Sequence, residues 1–527
     1  MMRIHFPLFK SHAISALLGI LTLHAAAKPP NILLFLVDDM GLMDTSVPML
    51  TGEDGTPKRH PLNDWYRTPN MERLAEQGVR FSNFYSHNVC SPTRISIMNG
   101  QNSARHRTTD YIFPWKNNRE IDNKHYPLTV CQQIPPRWNW NGLGKDDVTL
   151  PRLLQKSGYI TMHVGKAHFA PDQSTGKDPR NLGFDVNVAG SCIGAPGSYY
   201  GKAKFGLGTK NLHARPVQDL EKYHGQDIFL TEALTLEAKA EVDQALAANK
   251  PFFLHMSHYA VHSPFHSDPR FAANYRSSDR NKVVQAYATL IEGMDKSLGD
   301  LMDHLEAKGV SENTLILFLG DNGGDCPFGK ADGIASSAPL RGQKGGKWEG
   351  GVRVPFIAAW CKVDANNASQ KKLPIPAGSI RNEVGSCYDL FPTLLNLAGA
   401  AMPKGHAVDG QNLIPLLAGK RHAAHRDTFL NHYPHPRRGQ SHFFTTWRDG
   451  DWKVIYQYMM PKQNRYLLYN LAEDAGESKN LAASEPKKLQ QMMQRMVLEL
   501  ESMKALYPVK DEQPLKPVVP SQSILIK

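Results

Sequence analysis

Four short apolar runs, each cut off at once by a polar or glycine-rich turn, constrain this chain more than any other feature. Asn31–Val37 runs into Asp38-Asp39, and Tyr159–Val164 into Gly165-Lys166-Ala167-His168. Phe252–Met256 leads to His258 and His262, and Thr314–Leu319 to Gly320-Asp321-Asn322-Gly323-Gly324. Near-continuous apolar stretches of this length suit strands covered on both faces, as in a parallel sheet. Helical patterns lie between them: Asn70–Gln77 closes at Gly78 and Val283–Lys308 at Gly309. The alternation predicts an α/β fold with a large mixed, mostly parallel sheet sandwiched by helices. Such folds bind ligands beyond the carboxyl ends of their strands. All four polar turns occupy that position, so these distant segments are expected to meet in one pocket.

Beyond about Gly399 the texture changes. Trp447–Tyr458 and Tyr466–Leu471 read as antiparallel strands with a hairpin at Asp449-Gly450, and Pro486–Leu506 as an amphipathic helix. This predicts a smaller C-terminal α+β subdomain carrying a short antiparallel sheet and a helix. The expected organisation is a signal segment at 1–27, a catalytic α/β unit at 28–400, the subdomain at 401–510 and an irregular, Pro-rich tail at 511–527.

The signal segment is read from Arg3 and Lys10 before the apolar run Ala13–Leu23, with Ala25, Ala26 and Ala27 after it. The run is short for a bilayer span. It predicts an exported, periplasmic or secreted chain without stable membrane insertion. The formal net charge of +11, from 61 Lys+Arg against 50 Asp+Glu, is spread along the sequence with no basic cluster. That fits mild steering of anionic ligands and excludes a nucleic-acid stripe. The six cysteines, Cys90, Cys131, Cys192, Cys326, Cys361 and Cys387, form no CxxC pair, so a thiolate zinc site is not expected.

Asp38, Asp39, Asp321 and Asn322 offer hard oxygen donors at the ends of two expected strands. Either pair alone reads as a turn cap. Two in matching positions read as ligands of Ca²⁺ or Mg²⁺. Cys90-Ser91-Pro92-Thr93-Arg94 opens a helix-like stretch, where backbone N–H groups favour an anion and Arg94 adds a forked cation.

Those five residues match the C-x-P-x-R signature of the sulfatases, and the chain resembles that family over roughly residues 30–500. Asn31–Gly41 resembles its opening strand and acidic pair, Gly158–Phe169 its G-K-x-H segment, and Pro251–Phe265 its histidine-bearing strand end. Asp321–Gly324 and Leu340–Pro355 resemble its later blocks. Two departures stand out: Ala167 where tryptophan is common, and Gln343 where glycine is common before the lysine.

The resemblance to formylglycine-dependent, type I sulfatases of the alkaline phosphatase superfamily implies a sulfuric ester hydrolase. It implies that Cys90 is oxidised to formylglycine by a separate generating enzyme. Asp38, Asp39, Asp321, Asn322 and residue 90 would hold one Ca²⁺, or Mg²⁺. Arg94, Lys166, His168, His262 and Lys344 would surround the sulfate. A hydroxyl of the hydrated aldehyde would attack sulfur and the second would expel sulfate. His168 would take that proton, and His262 with Lys344 would serve the leaving oxygen. A sulfated carbohydrate is the expected substrate. A phosphodiesterase or phosphonate hydrolase of the same superfamily, and a non-catalytic sulfated-sugar binding protein, are the alternatives.

Other polar residues carry two readings. His258 is either a polar wall or an interior histidine, the latter preferred, and His106 reads as structural. Asn431–Arg438 is read as a loop whose His432, His435 and Arg437 form a substrate rim, or else as solvated surface. Trp115, Trp138 and Trp140 either stack on sugars or pack in the core.

Overall fold

The computed structural model describes residues 1–2, 29–114, 139–208, 215–325, 337–434, 443–458, 460–510 and 513–521. Residues 3–28, with most of the expected signal segment, lie outside them. So do His435, Arg437, Trp115, Trp138, Cys131 and Cys326.

Eight strands form the large sheet: β1 (Asn31–Val37), β2 (Gly78–Tyr85), β3 (Ile160–Gly165), β4 (Val186–Val188), β5 (Phe252–Ser257), β6 (Thr314–Gly320), β7 (Phe356–Trp360) and β8 (Ser379–Ser386). Their order is β8-β2-β7-β6-β1-β5-β3-β4. Every adjacent pair is parallel except the two made by β7, which runs against both β2 and β6. The four apolar runs are therefore neighbours, in the order β6-β1-β5-β3, all pointing the same way.

The reason these runs are nearly continuous is visible in β1. Leu33, Phe35 and Val37 enter one apolar cluster, and Ile32, Leu34 and Leu36 enter the other. With both faces covered a polar residue fits only where it finds a partner, as His163 and His255 do in each other at 3.0 Å, and each buried aliphatic side chain contributes about 2 kcal/mol. Helices α1 (Pro69–Gln77), α3 (Leu230–Ala247) and α4 (Lys282–Ala307) cover the first face. Helices α2 (Cys90–Asn99) and α5 (Leu390–Leu397) cover the second. Asn281 caps α4, its side chain accepting from the Val283 amide.

The strands of the smaller sheet are β9 (Thr428–Tyr433), β10 (Phe444–Asp449), β11 (Trp452–Gln457) and β12 (Tyr466–Asn470), antiparallel in chain order. The expected hairpin turns at Gly450, whose φ of +60° is the left-handed conformation that glycine adopts freely. Helix α6 (Pro486–Ser502) buries Leu489, Met492, Met493, Met496 and Leu500 against this sheet.

One sequence expectation is corrected here. Asn431–Tyr433, read as loop, completes β9 and pairs in register with Thr446, Thr445 and Phe444. Among the described residues no helix is long and apolar enough to cross a membrane.

Candidate active site

At the carboxyl ends of β1 and β6 three carboxylates converge. Oxygen atoms of Asp38, Asp39 and Asp321 lie within 4.8 Å of one another, all buried. The Asp39 amide donates to Asp321 Oδ1 at 3.0 Å, and Asn322 Nδ2 donates to Asp39 Oδ1 at 2.9 Å. Asp39 takes a positive φ of 60°, which turns the chain as it leaves the strand. Burial and the neighbouring Asp38 charge push Asp321 well above the usual carboxylate range. Asp39 is held below that range, against its own burial, by Lys344 and His262.

The cluster fits a hard divalent cation. Asp38 Oδ1 and Asn322 Oδ1 are buried and accept no hydrogen bond. Two oxygens without a hydrogen bond, one on the carboxylate cluster and one on Asn322, are what such an ion would complete.

Helix α2 starts at Cys90 with Val89 as its N-cap and no side-chain cap, and every residue of it is buried. Arg94, one turn in, is held from several sides. Its Nε donates to Asp321 Oδ2 at 2.9 Å and its Nη2 stands 2.8 Å from the same oxygen. Its Nη1 donates to the Lys166 carbonyl and to Ser257 Oγ, both at 2.8 Å. A guanidinium bonded this way cannot swing, so it acts as a fixed charge.

Lys166 and His168 follow β3. Lys166 Nζ donates to Asp38 Oδ2 at 2.6 Å. His168 Nε2 lies 2.7 Å from the Ile112 carbonyl, which can only accept, so Nε2 carries the proton. That leaves Nδ1 as an acceptor, 3.3 Å from Cys90 Sγ and 3.3 Å from Ser91 Oγ. Burial and the Lys166 charge push the imidazole well below its ordinary pKa, which keeps it neutral. The Cys90 thiol is pushed up by burial. His262, beyond β5, gives its Nδ1 proton to the Ser263 carbonyl at 2.8 Å and turns Nε2 to within 3.5 Å of Asp39. The Tyr199 hydroxyl lies 2.7 Å from both the Tyr259 and His262 carbonyls and props that turn. Lys344 Nζ reaches Asp39 Oδ1 at 2.6 Å.

Ten residues expected in the site were Asp38, Asp39, Cys90, Arg94, Lys166, His168, His262, Asp321, Asn322 and Lys344, and these contacts link them into one constellation. Ser257, Ser91 and Tyr199 were not anticipated. Nothing in their sequence context marks them beyond nearness to a strand end or signature.

His432 is a correction. It is 1% exposed, with Nδ1 2.7 Å from Thr445 Oγ1 and Nε2 2.7 Å from the Leu506 carbonyl, so it braces the small sheet and forms no rim. His258 is interior, Nε2 2.9 Å from Ser297 Oγ. His106 lies behind α2, bonded to Ser96. Trp140 is buried, and Cys192, Cys361 and Cys387 are buried thiols.

An acidic oxygen cluster beside a cysteine-headed helix, ringed by two lysines, an arginine and two histidines, at the carboxyl edge of a mostly parallel sheet, defines a class of anion-ester hydrolase. The sulfatase family description matches residues 30–400, and that of the C-terminal part of N-sulphoglucosamine sulphohydrolase matches residues 348–505. The chain belongs to the sulfatase family: it is a type I sulfatase of the alkaline phosphatase superfamily, and a sulfuric ester hydrolase by class.

It is 30% identical over 410 residues to the N-acetylgalactosamine-6-sulfatase of Canis lupus familiaris, a match spanning 75% of this chain and 67% of that protein. A sulfatase of Formosa agariphila is 28% identical over 510 residues, covering 88% of this chain and 86% of that one. The solved structure described as "Crystal structure of Ps i-CgsB" superposes with a TM-score of 0.68 at 26% identity, covering 90% of this chain and 93% of that one.

Proposed function

We propose that this chain is an exported sulfatase that hydrolyses a carbohydrate sulfate ester through a formylglycine at residue 90. The observation that carries this reading is the placement of Cys90 3.3 Å from the unprotonated Nδ1 of a locked, neutral His168, beside the acidic cluster. Export rests on the residue pattern of 1–27, and the carbohydrate on the sulfated amino sugar for which the similar N-acetylgalactosamine-6-sulfatase is named.

Asp38, Asp39, Asp321, Asn322 and residue 90 would hold one Ca²⁺ or Mg²⁺, which when bound lowers the pKa of an adjacent hydroxyl. A formylglycine at residue 90, once hydrated, would offer one hydroxyl for attack on sulfur and a second for release of sulfate. An unmodified thiol has no second hydroxyl to offer.

The chain's own residues do the rest. His168 Nδ1 is placed to accept a proton from residue 90 and would take that of the hydroxyl that releases sulfate. Three buried cations, Arg94, Lys166 and Lys344, balance three buried carboxylates. A divalent ion therefore leaves an excess of positive charge for a sulfate ester to meet. Lys344 faces the Asp39 edge and would donate to the leaving oxygen, and His262 Nε2, 3.5 Å from Asp39, would assist only as the imidazolium, since the neutral ring holds its proton on Nδ1.

A panel of defined sulfated saccharides, with 6-sulfated N-acetylgalactosamine included, tests the reading. Sulfate release by ion chromatography is the readout, and matched phosphate and phosphonate esters are the controls. Sulfate freed from at least one saccharide at a rate well above the phosphorus esters supports it. Turnover confined to phosphorus esters removes it.

Gly194 tests the His168 placement. A Cβ there would meet His168 Cε1 at 2.7 Å, and the ring cannot retreat without breaking its bond to Ile112. Gly194→Ala is expected to lower kcat by roughly tenfold to a hundredfold with an unchanged circular dichroism spectrum, since small misplacements of a proton acceptor are costly. Parent-like kcat would show that the imidazole position is not critical.

A further inference from the structure

A second buried ionic cluster lies outside the sulfate pocket, where the two sheets meet. Arg448 on β10 and Lys453 on β11 are directly opposite partners. Two like charges on facing positions of a sheet repel, more so when buried. Here carboxylates from elsewhere fill the gap. Lys453 Nζ stands 2.9 Å from Glu349 Oε1 and 2.8 Å from Glu477 Oε1. Glu477 Oε2 accepts from the Glu349 amide at 2.7 Å. Glu349 Oε2 accepts from the Tyr85 hydroxyl at 2.5 Å, and Arg448 donates to that same hydroxyl. Lys453, Glu349 and Glu477 are at most 2% exposed as side chains.

Glu349 begins the short helical turn Glu349–Val352, five residues after Lys344. That turn touches both halves of the active site. The Gly323 amide, beside Asn322, donates to the Gly351 carbonyl at 3.0 Å, and the Ser86 amide donates to the Val352 carbonyl at 2.9 Å. The Lys344 end is tied by the Lys344 amide to the Gly324 carbonyl and by the Gly345 amide to the Asn88 carbonyl. The Arg341 side chain donates to the Glu477 carbonyl at 2.9 Å. Glu349 is thus the point at which the small sheet grips the segment that delivers Lys344.

We propose that Lys453 and Glu477 are positioning residues for the sulfatase reaction: by clamping Glu349 they hold the Lys344 loop in register against Asp39 and the Cys90 turn. The inference rests on the sulfatase reading above, in which Lys344 serves the leaving oxygen. It makes the small sheet part of the kcat machinery, beyond any contact with the sugar.

The test compares the parent with Lys453→Met and Lys453→Arg. One readout is independent of turnover: hydrogen exchange in the peptide spanning residues 341–351. Lys453→Met is expected to raise exchange there by at least about tenfold, with peptides from β1 unchanged. The other readout is kcat across a series of aryl sulfates of rising phenol pKa. Poor leaving groups depend most on Lys344, so their kcat should fall on the order of tenfold to a hundredfold, with the best leaving group within about threefold. Lys453→Arg, which keeps the charge, should restore both. Unchanged exchange, or an equal fall for every aryl sulfate, overturns the inference. If Lys453→Met fails to fold, Glu477→Gln replaces it: it keeps an acceptor for the Glu349 amide and removes only the charge, and the same two readouts decide. If the parent releases no sulfate from any aryl ester, kcat on the saccharide found in the panel replaces the aryl series; the sulfatase reading fails only if that panel also yields no sulfate, and the exchange result still decides the clamp.

Discussion

Cys90→Ala is expected to lose sulfate-ester turnover by on the order of 10⁴-fold or more while folding as the parent does. Among the described residues Cys90 Sγ and Ser91 Oγ both lie 3.3 Å from His168 Nδ1, and Cys90 is the one at the cysteine position of the C-x-P-x-R signature. Removing the covalent route costs most of an enzyme's rate, whereas deleting one buried sulfur costs about 1 kcal/mol of stability. The parent made in a host with a formylglycine-generating activity should show the peptide of residue 90 lighter by ~18 Da, the difference between thiol and aldehyde. Kinetics with peptide mass spectrometry check this. Full activity with an intact thiol at residue 90 contradicts the mechanism.

Asp321→Asn is expected to lose bound metal and turnover together, the latter by about a thousandfold or more. The new amide keeps an acceptor for the Asp39 amide but removes the charge that faces Arg94 at 2.8 Å and the other two carboxylates. Elemental analysis of the parent should find one Ca²⁺ or Mg²⁺ per chain and no stoichiometric zinc, because the donors are all oxygen. Chelation should lower the Tm of the parent, since an ion bound only by the folded state stabilises it by several kcal/mol at saturating concentration. The variant should show no such shift. A variant that retains both metal and rate, or zinc at one equivalent in active parent, removes the assignment.

Much of this architecture was legible because burial on both faces forces an unmistakable pattern. β1, β3, β5 and β6 are near-continuous apolar runs, and the residues that end them carry the site. Two strands that went unread, β2 and β9, are ones whose several polar residues find partners within the fold, and the short apolar β7 was not picked out either. β2 contains Arg80, Ser82 and Asn83; Ser82 and Asn83 bond to Asn382 in β8, so their polarity hides a buried strand. β9 was missed because Asn431 and His432 precede Pro434 and look like loop, while the sheet and the Leu506 carbonyl satisfy the histidine. Within the site, charged groups were readable and their supports were not. Ser257 grips Arg94, and Tyr199 props the His262 turn from 63 residues away in sequence; no local pattern signals a contact of that kind. The Glu349 clamp was hidden for the same reason, its three carboxylate and ammonium partners being spread over residues 349 to 477.

The reversed strand β7 governs when the catalytic edge becomes complete. Because it runs against its neighbours, the segment before it, with Lys344 and Glu349, reaches the same edge that the other strands reach by the segments after them. β7 must also enter between β6 and β2, and its pairing with β2 closes a loop of about 280 residues, the kind of distant contact that forms slowly. A nascent or truncated chain that stops short of Phe356 can align its aspartates and still lack a seated lysine. Synthesis, folding and onset of turnover are thereby linked: turnover is expected only from chains that include β7, the last central strand to be made.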